Sequence, residues 1–150
     1  MKRYLIFVLL LAAALLCGAC NGASYEDSDR KTESVLVVQG SVFDASLLYP
    51  IRNIEIVLTS FSSSDEGQTR PLRTVKEYSH LDGTYQVRLE QLREGQTYRL
   101  QAFDPDGQLD ESEPMKILDV RQGGNSYDSE TGTYTRIVYF IVRNGKLTVL

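Results

Sequence analysis

The densest cluster of chemically useful side chains in this 150-residue chain is an acidic stretch that follows Phe103. It places five carboxylates within ten residues, at Asp104, Asp106, Asp110, Glu111 and Glu113. Calcium takes about six to eight oxygen ligands from a flexible loop, so the ligand type fits, although the spacing is not that of an EF-hand. Asp104-Pro105-Asp106-Gly107 is also a favourable β-turn. Two interpretations stay open, a calcium site and a solvated acidic turn.

The residues that catalysis needs are sparse. His80 is the only histidine, and it stands in a polar turn before Asp82-Gly83. A serine or cysteine nucleophile needs a positioned base, and a histidine-based zinc site needs more than one histidine. Nothing in the sequence places two carboxylates across a cleft, as glycoside hydrolysis requires. The chain is therefore predicted not to be an enzyme.

Tyrosine offers a first binding hypothesis. Tyr127 and Tyr134 flank a long polar loop, residues 128–132, where an aromatic side chain can reach solvent. Exposed aromatic rings of this kind serve as platforms for carbohydrates. A surface that binds glycans is therefore an alternative to a surface that binds protein.

Three large apolar side chains in a turn offer a second hypothesis. Leu47, Leu48 and Tyr49 stand directly before Pro50, where a turn usually carries polar residues. They either cap the end of the core or form an exposed docking patch for a partner. We favour the cap, because the ends of a sandwich need covering.

The amino terminus has the pattern of an export signal. A basic start, Lys2-Arg3, precedes 12 apolar residues at 5–16, which is too short for a spanning helix of about 20 residues. The run ends in Leu16-Cys17-Gly18-Ala19-Cys20, which resembles a bacterial lipoprotein signal. The resemblance implies removal of residues 1–19 and lipidation of Cys20. An ordinary signal peptide without lipid is the alternative.

Residues 20–33 are polar and charged without an apolar period, so they are predicted to be a flexible tether. Asn21 behind the cysteine, rather than Asp, resembles lipoproteins of the outer membrane. Glu26, Asp27 and Asp29 resemble the acidic cluster of surface-exposed lipoproteins in Bacteroides-type bacteria, and a solvated linker is the alternative. The sequence does not decide whether the protein lies on the periplasmic or the outer surface of the membrane.

Charge and cysteine content narrow the class of partner. Removal of residues 1–19 takes away two of the 16 basic residues and none of the 20 acidic ones, so the mature chain is more negative than the full chain at −4. This balance argues against nucleic acid or an anionic membrane surface as a partner. Cys20 would be the single remaining cysteine, so an exported domain must be stabilised by its core alone. An unknown envelope protein or a glycan remains as the ligand.

The domain that follows, residues 34–150, reads as an all-β structure. Apolar residues alternate with polar ones, as at Ile54, Ile56 and Leu58, and turn residues recur at short spacing. No stretch shows a convincing helical period. The predicted strands are Val35–Phe43, Asn53–Ser62, Leu72–Ser79, Thr84–Glu90, Thr97–Phe103, Met115–Val120 and Thr133–Arg143, with a short piece at Lys146–Val149 after an Asn144-Gly145 turn.

Three motifs together resemble the carboxypeptidase regulatory-like domain. They are Val38-x-Gly40-x-Val42-x-Asp44, Pro50-Ile51-x-Asn53-Ile54-x-Ile56 and Asp82-Gly83-x-Tyr85. The resemblance implies a single seven-stranded, transthyretin-like, Greek-key β-sandwich that acts as a non-catalytic binding or structural module. Asn53 stands where the family usually has glycine, and asparagine tolerates the left-handed conformation better than most residues.

Overall fold

Ten β-strands form the regular structure of the part of the chain that the computed structural model describes, residues 34–46, 48–62, 70–117, 120 and 125–150. The predictions for residues 1–33, including Cys20 and the tether, and for Leu47 lie outside these residues. The strands are β1 (Val35–Asp44), β2 (Glu55–Ser62), β3 (Arg73–Tyr78), β4 (Thr84–Leu89), β5 (Gln96–Phe103), β6 (Met115–Ile117), β7 (Ser126–Asp128), β8 (Thr133–Ile137), β9 (Phe140–Arg143) and β10 (Lys146–Val149).

These strands form two sheets, and the prediction of an all-β sandwich is confirmed. In the first sheet β1 is central, with β4 on one edge and β8 and β9 on the other. The short strands β7 and β10 pair with β8 and β9, respectively. The second sheet has the order β3-β2-β5-β6. The described residues contain no helix that is long and apolar enough to cross a membrane.

The number of strands differs from the expected seven. Thr133–Arg143 was expected to be one strand, and it is divided into β8 and β9 at Val138 and Tyr139. The parallel register on β1 is unchanged by the break, because Gln39 faces Ile137 before it and Val42 faces Phe140 after it. The sequence gives no sign of β7, which is three polar or aromatic residues long and too short to show alternation.

The core lies between the sheets and follows the predicted alternation. Ile54, Ile56 and Leu58 are buried, and so are the corresponding residues of the neighbouring strand, Tyr98, Leu100 and Ala102. Each fully buried apolar side chain contributes about 1.5–3 kcal/mol relative to exposure. The remaining members of the core face include Leu36, Val38, Val42, Tyr85, Val87, Leu89, Phe140 and Leu147.

Two turns set the direction of the chain as the sequence predicts. Asn144 and Gly145 both have positive φ, 52° and 75°, which is the backbone of a tight hairpin from β9 to β10. Asn53 adopts a left-handed φ of 63° just before β2, so asparagine does here what glycine would do. Both turns leave the register of the following strand fixed.

Candidate binding surface at one end of the sandwich

Three connections of the chain gather at one end of the sandwich. Ser41 near the end of β1 faces Thr84 at the start of β4, and Glu55 at the start of β2 faces Phe103 at the end of β5. The β1–β2, β3–β4 and β5–β6 connections therefore leave their strands at the same end. We call the described residues 45–46, 48–54, 79–83 and 104–110 the loop end.

The first described residue lies at the other end. The carbonyl of Ser34 accepts the amide N–H of Leu92, and the N–H of Val35 donates to the carbonyl of Gly132. Leu92 follows β4, and Gly132 precedes β8. The chain thus enters the sandwich at the end opposite the loop end.

Ser79 joins two of the loops. Its hydroxyl donates to the carbonyl of Ile51 at 2.8 Å and accepts the N–H of Ile54 at 3.0 Å. Its backbone carbonyl accepts the N–H of Asn53, and its own N–H donates to the carbonyl of Ile54. Because Ser79 is buried, these bonds are shielded from water and fix residues 51–54 to the turn before β4.

A second contact joins the turn of Gly83 to Pro50. Gly83 has a φ of 76°, and a Cβ there would lie 2.9 Å from the Cβ of Pro50 and 2.5 Å from the carbonyl oxygen of Val42. The N–H of Val42 donates to the carbonyl of Gly83, while its carbonyl accepts the N–H of Ile51. The two loops are packed backbone to backbone, so their outer side chains share one surface.

That surface carries large apolar side chains in solvent. Leu48 is 74% exposed, Tyr49 65% and Leu81 76%. The expectation that this turn caps the core is therefore wrong for Leu48 and Tyr49, since Ile51 packs against the core instead. The physical reason is that the turn folds back on itself: the N–H of Leu48 donates to the carbonyl of Asp44, whose N–H donates to the carbonyl of Tyr49.

An open cleft of about 550 Å³ lies beside Leu81. It is lined by Arg52, Asn53, Ser79, His80, Leu81 and Asp106. The Ser79 hydroxyl is directed to the carbonyl of Ile51 and not to His80, so the pair does not form a nucleophile and its base. Asp82 nearby has a lowered pKa, chiefly because the hydroxyl and amide of Thr84 donate to its carboxylate. The cleft has the polar lining of a binding surface.

The acidic stretch begins with a turn that is held by the side chain of Asp104. The carboxylate of Asp104 accepts the backbone N–H groups of Asp106, Gln108 and Leu109 at 2.9–3.0 Å. Among the residues that the structure describes, no three His, Cys, Asp or Glu side chains are placed to hold a metal ion. The observed arrangement favours the solvated acidic turn over the calcium site.

The last residue of the acidic stretch, Glu113, forms an exposed ion pair with a lysine of β10. Glu113 pairs with Lys146 at 3.0 Å. The pKa of Lys146 is raised, chiefly because its ammonium group is hydrogen-bonded to the Glu113 carboxylate. The negative charges of Asp110 and Glu111 add to this effect. The backbone of Asp110 also bonds to Gly145 and Leu147. The ion pair of Glu113 and the backbone bonds of Asp110 therefore attach the connection to the β9–β10 hairpin.

Tyr127 and Tyr134 do not form a flat platform. They face each other across β7 and β8 with ring centroids 4.5 Å apart. Tyr134 is half-buried against the core, which leaves only Tyr127 largely in solvent.

The residues that sequence reasoning missed are Arg52 and Leu81. The pairing of two loops at Ser79, which the sequence does not signal, brings them together.

No family model and no curated protein matches this chain. Solved structures with similarity include the dioxygenase domain of a dioxygenase carbohydrate-binding protein fusion from Streptomyces sp. SirexAA-E, at 14% identity and a TM-score of 0.49, covering 75% of this chain and 82% of that one. A shaft pilin from Lactobacillus rhamnosus GG is 11% identical with a TM-score of 0.44, covering 77% and 47%. Serratia marcescens Lip, a membrane-bound component of the Type VI secretion system, is 8% identical with a TM-score of 0.42, covering 78% and 97%. At this level of similarity no activity or partner is carried over to this chain.

Proposed function

We propose that this chain is an exported, lipid-anchored protein of the bacterial cell envelope whose β-sandwich binds another envelope protein through the loop end. The proposed anchor is Cys20, because a basic start, a short apolar run and Gly18-Ala19 precede it. Residues 1–19 would be removed, and residues 20–33 would tether the domain. Asn21 supports a position in the outer membrane by its resemblance to lipoproteins sorted there.

The direction of β1 separates the loop end from the point where the chain enters the sandwich. The chain enters the sandwich at Ser34, and β1 is ten residues long. At about 3.3 Å per residue, its far end is roughly 30 Å from the entry point. The loop end therefore lies at the end of the sandwich opposite to the point where the chain enters it.

The observation that carries the proposal is the exposure of three large apolar side chains, Leu48, Tyr49 and Leu81, on two loops that are packed together. When a partner covers exposed apolar side chains, about 25 cal/mol is gained for each Å² removed from water, and part of this gain offsets the entropy lost in ordering them. Arg52 and Asp106 line the cleft beside Leu81, so charged groups border the apolar side chain there, as at the polar rim of an interface.

The fold supports binding rather than chemistry. Loops on a rigid sheet scaffold are where proteins of this architecture carry recognition. The resemblance of the three strand motifs to the carboxypeptidase regulatory-like, transthyretin-like domain of Bacteroides-type bacteria also implies a non-catalytic module. His80 is the single histidine, and Ser79 beside it is committed to holding the loops.

The test uses the full chain in the bacterium that produces it. A photo-crosslinking residue at position 49 should capture a distinct envelope protein, and Leu48→Ser with Leu81→Ser should abolish that product. Leu72→Ser is the matched control, because Leu72 is also an exposed leucine but bonds to Ser60 at the opposite end. Both variants should melt like wild type, since exposed substitutions change stability by only about 0.5 kcal/mol. A crosslink that survives the double substitution, or that Leu72→Ser also removes, would contradict the proposal.

The anchor is tested separately. Metabolic labelling with a fatty acid should mark the wild-type chain and leave Cys20→Ala unmarked. Cys17→Ala, which changes the other cysteine, should keep the label. Labelling that persists in Cys20→Ala would remove the proposed anchor without affecting the proposed surface.

A further inference from the structure

A second open groove, of about 450 Å³, lies on the outer face of the first sheet, and the loop-end proposal does not use it. Its floor is β1, one wall is β4, and the other wall is the break between β8 and β9. The side chains that give it its character are Gln39, Ser41, Thr84, Gln86, Ile137 and Tyr139. Its volume is within the range of small-ligand sites, about 300–1,000 Å³.

The floor and the β4 wall are polar and uncharged. Gln39 faces Gln86 across the two strands, and the amide nitrogen of Gln86 donates to the amide oxygen of Gln39 at 3.3 Å. Each glutamine thus keeps further hydrogen-bonding capacity, the amide N–H₂ of Gln39 and the amide oxygen of Gln86. Ser41 and Thr84 form the neighbouring pair, and the hydroxyl of Thr84 donates to Asp82, so its oxygen is left as an acceptor.

The opposite wall is apolar. Ile137, the last residue of β8, is 58% exposed. Tyr139, which lies between β8 and β9, is 42% exposed. The break between β8 and β9 holds this wall in place: the N–H of Val138 donates to the carbonyl of Gln39, and the carbonyl of Tyr139 accepts the N–H of Leu150. An aromatic ring is therefore presented to solvent from a fixed backbone, directly across β1 from a row of amides and hydroxyls.

We propose that this groove binds a neutral oligosaccharide. A sugar ring has an apolar C–H face, which fits Tyr139 and Ile137, and an edge of hydroxyls, which are donors and acceptors like the amides opposite. No Asp, Glu, Lys or Arg stands among the described lining residues, so neither an anion nor a cation is matched. A peptide strand is not matched either, because it would pair at a sheet edge and β1 is bonded to strands on both edges.

The proposal does not rest on the exposed apolar residues of the loop end, although His80 lines both the groove and the loop-end cleft. The groove lies along the sheet face, and Leu48, Tyr49 and Leu81 do not line it. The proposed sugar-binding tyrosine is thus Tyr139 in the groove, and not a tyrosine beside the loop at residues 128–132. Tyr127, which is exposed but lies outside the groove, can serve as a control for Tyr139.

The test is a titration of the full chain, in a detergent without sugar groups, with cellohexaose, maltohexaose, mannohexaose and an anionic hyaluronan hexasaccharide. At least one neutral probe should bind, and Tyr139→Ala should weaken it by about tenfold or more. Tyr127→Ala, which removes an exposed tyrosine outside the groove, should bind like wild type. Gln86→Ala should also weaken binding, and it keeps the test decisive if Tyr139→Ala fails to fold.

Four results would overturn the proposal. One is the absence of binding by every neutral probe at millimolar concentration. Another is binding that Tyr139→Ala and Gln86→Ala leave unchanged, which would place the sugar elsewhere. The third is binding of the anionic probe alone. Backbone amide shifts in a labelled sample should cluster at Gln39, Gln86 and Tyr139, and a cluster at Tyr127 would equally reject the groove.

Discussion

The backbone carbonyl of Val138 lies over Gly40 so closely that a Cβ on residue 40 would be 1.7 Å from the carbonyl oxygen. The phenol of Tyr85, which faces Gly40 across β1 and β4, donates to the same oxygen at 2.8 Å. The carbonyl is thus turned out of the ladder and into the sandwich, which is why β8 and β9 are separate strands. Gly40 is required here for the space that it leaves open, not for its backbone freedom.

Gly40→Ala should therefore destabilise the domain strongly. A contact of this length with a backbone atom forces β1 away from the β8–β9 line, and overpacking a core costs about 1–3 kcal/mol or more. Gly107→Ala is the control, because nothing lies within 4 Å of a Cβ there and only its positive φ is strained. The free energy of unfolding measured in urea should be lower for Gly40→Ala than for Gly107→Ala. Equal stability of the two variants would contradict the close approach.

Tyr85→Phe should cost about 1–3 kcal/mol, because it leaves the buried carbonyl of Val138 without its donor. Burial also raises the pKa of the Tyr85 phenol. The stability that the neutral phenol supplies is fully present below the unfolded value near pH 10 and is lost as pH rises above it, since only the unfolded chain then releases the proton. The unfolding free energy of wild type should fall above pH 10, and more steeply than that of Tyr85→Phe. The exposed Tyr127→Phe should keep the wild-type slope.

Ser79→Ala should cost about 1–3 kcal/mol and loosen the loop end. The substitution leaves the N–H of Ile54 and the carbonyl of Ile51 without their shared partner in a buried position. Hydrogen exchange should become faster at residues 51–54. Ser46→Ala, whose exposed hydroxyl bonds to Asp44, should change neither stability nor exchange there. If Ser79→Ala matched Ser46→Ala, the two loops would have to be held together by other contacts.

Asp104→Ala should destabilise more than Asp106→Ala, although both carboxylates belong to the same acidic stretch. Asp104 accepts three backbone N–H groups, a role like that of a helix cap, so its loss should cost about 1–2 kcal/mol. Asp106 is exposed, and its removal should cost little. Thermal melts with calcium and with a chelator decide the role of the stretch. A calcium-dependent melting temperature that Asp104→Ala and Asp106→Ala both abolish would restore the ion site.

The strands were predictable where alternation decides their position. Ile54, Ile56 and Leu58 could be assigned to the core because a strand that is buried on one face alternates in the sequence. The left-handed turn at Asn53 could be read from a residue type that tolerates it. These features depend on neighbours along the chain, and local physics is enough to specify them.

The candidate surfaces were predictable only in part, because the sequence offers Leu48 and Tyr49 either as a docking patch or as a cap of the core and does not decide between the two. Leu48 was expected to cover the core, but Ile51 packs against it, and which of two nearby apolar residues turns inward depends on hydrogen bonds between loops. The groove at Gln39 and Tyr139 joins residues that are far apart in sequence. Its apolar wall depends on the break at Val138, which arises from a contact with Gly40 and Tyr85 that no single segment contains.

The parallel pairing of β1 with β8 and β9 makes completion of the domain a late event. Residue 39 faces residue 137, so the first strand leaves the ribosome long before its neighbours on that edge exist. Pairings between such distant segments give a high contact order, which is typical of folding in milliseconds to seconds. A chain that stops before Thr133 still contains every strand of the second sheet, but one edge of the valine-rich β1 has no strand to pair with. Exposed edges of this kind promote aggregation, so premature termination should yield insoluble protein rather than a smaller folded domain.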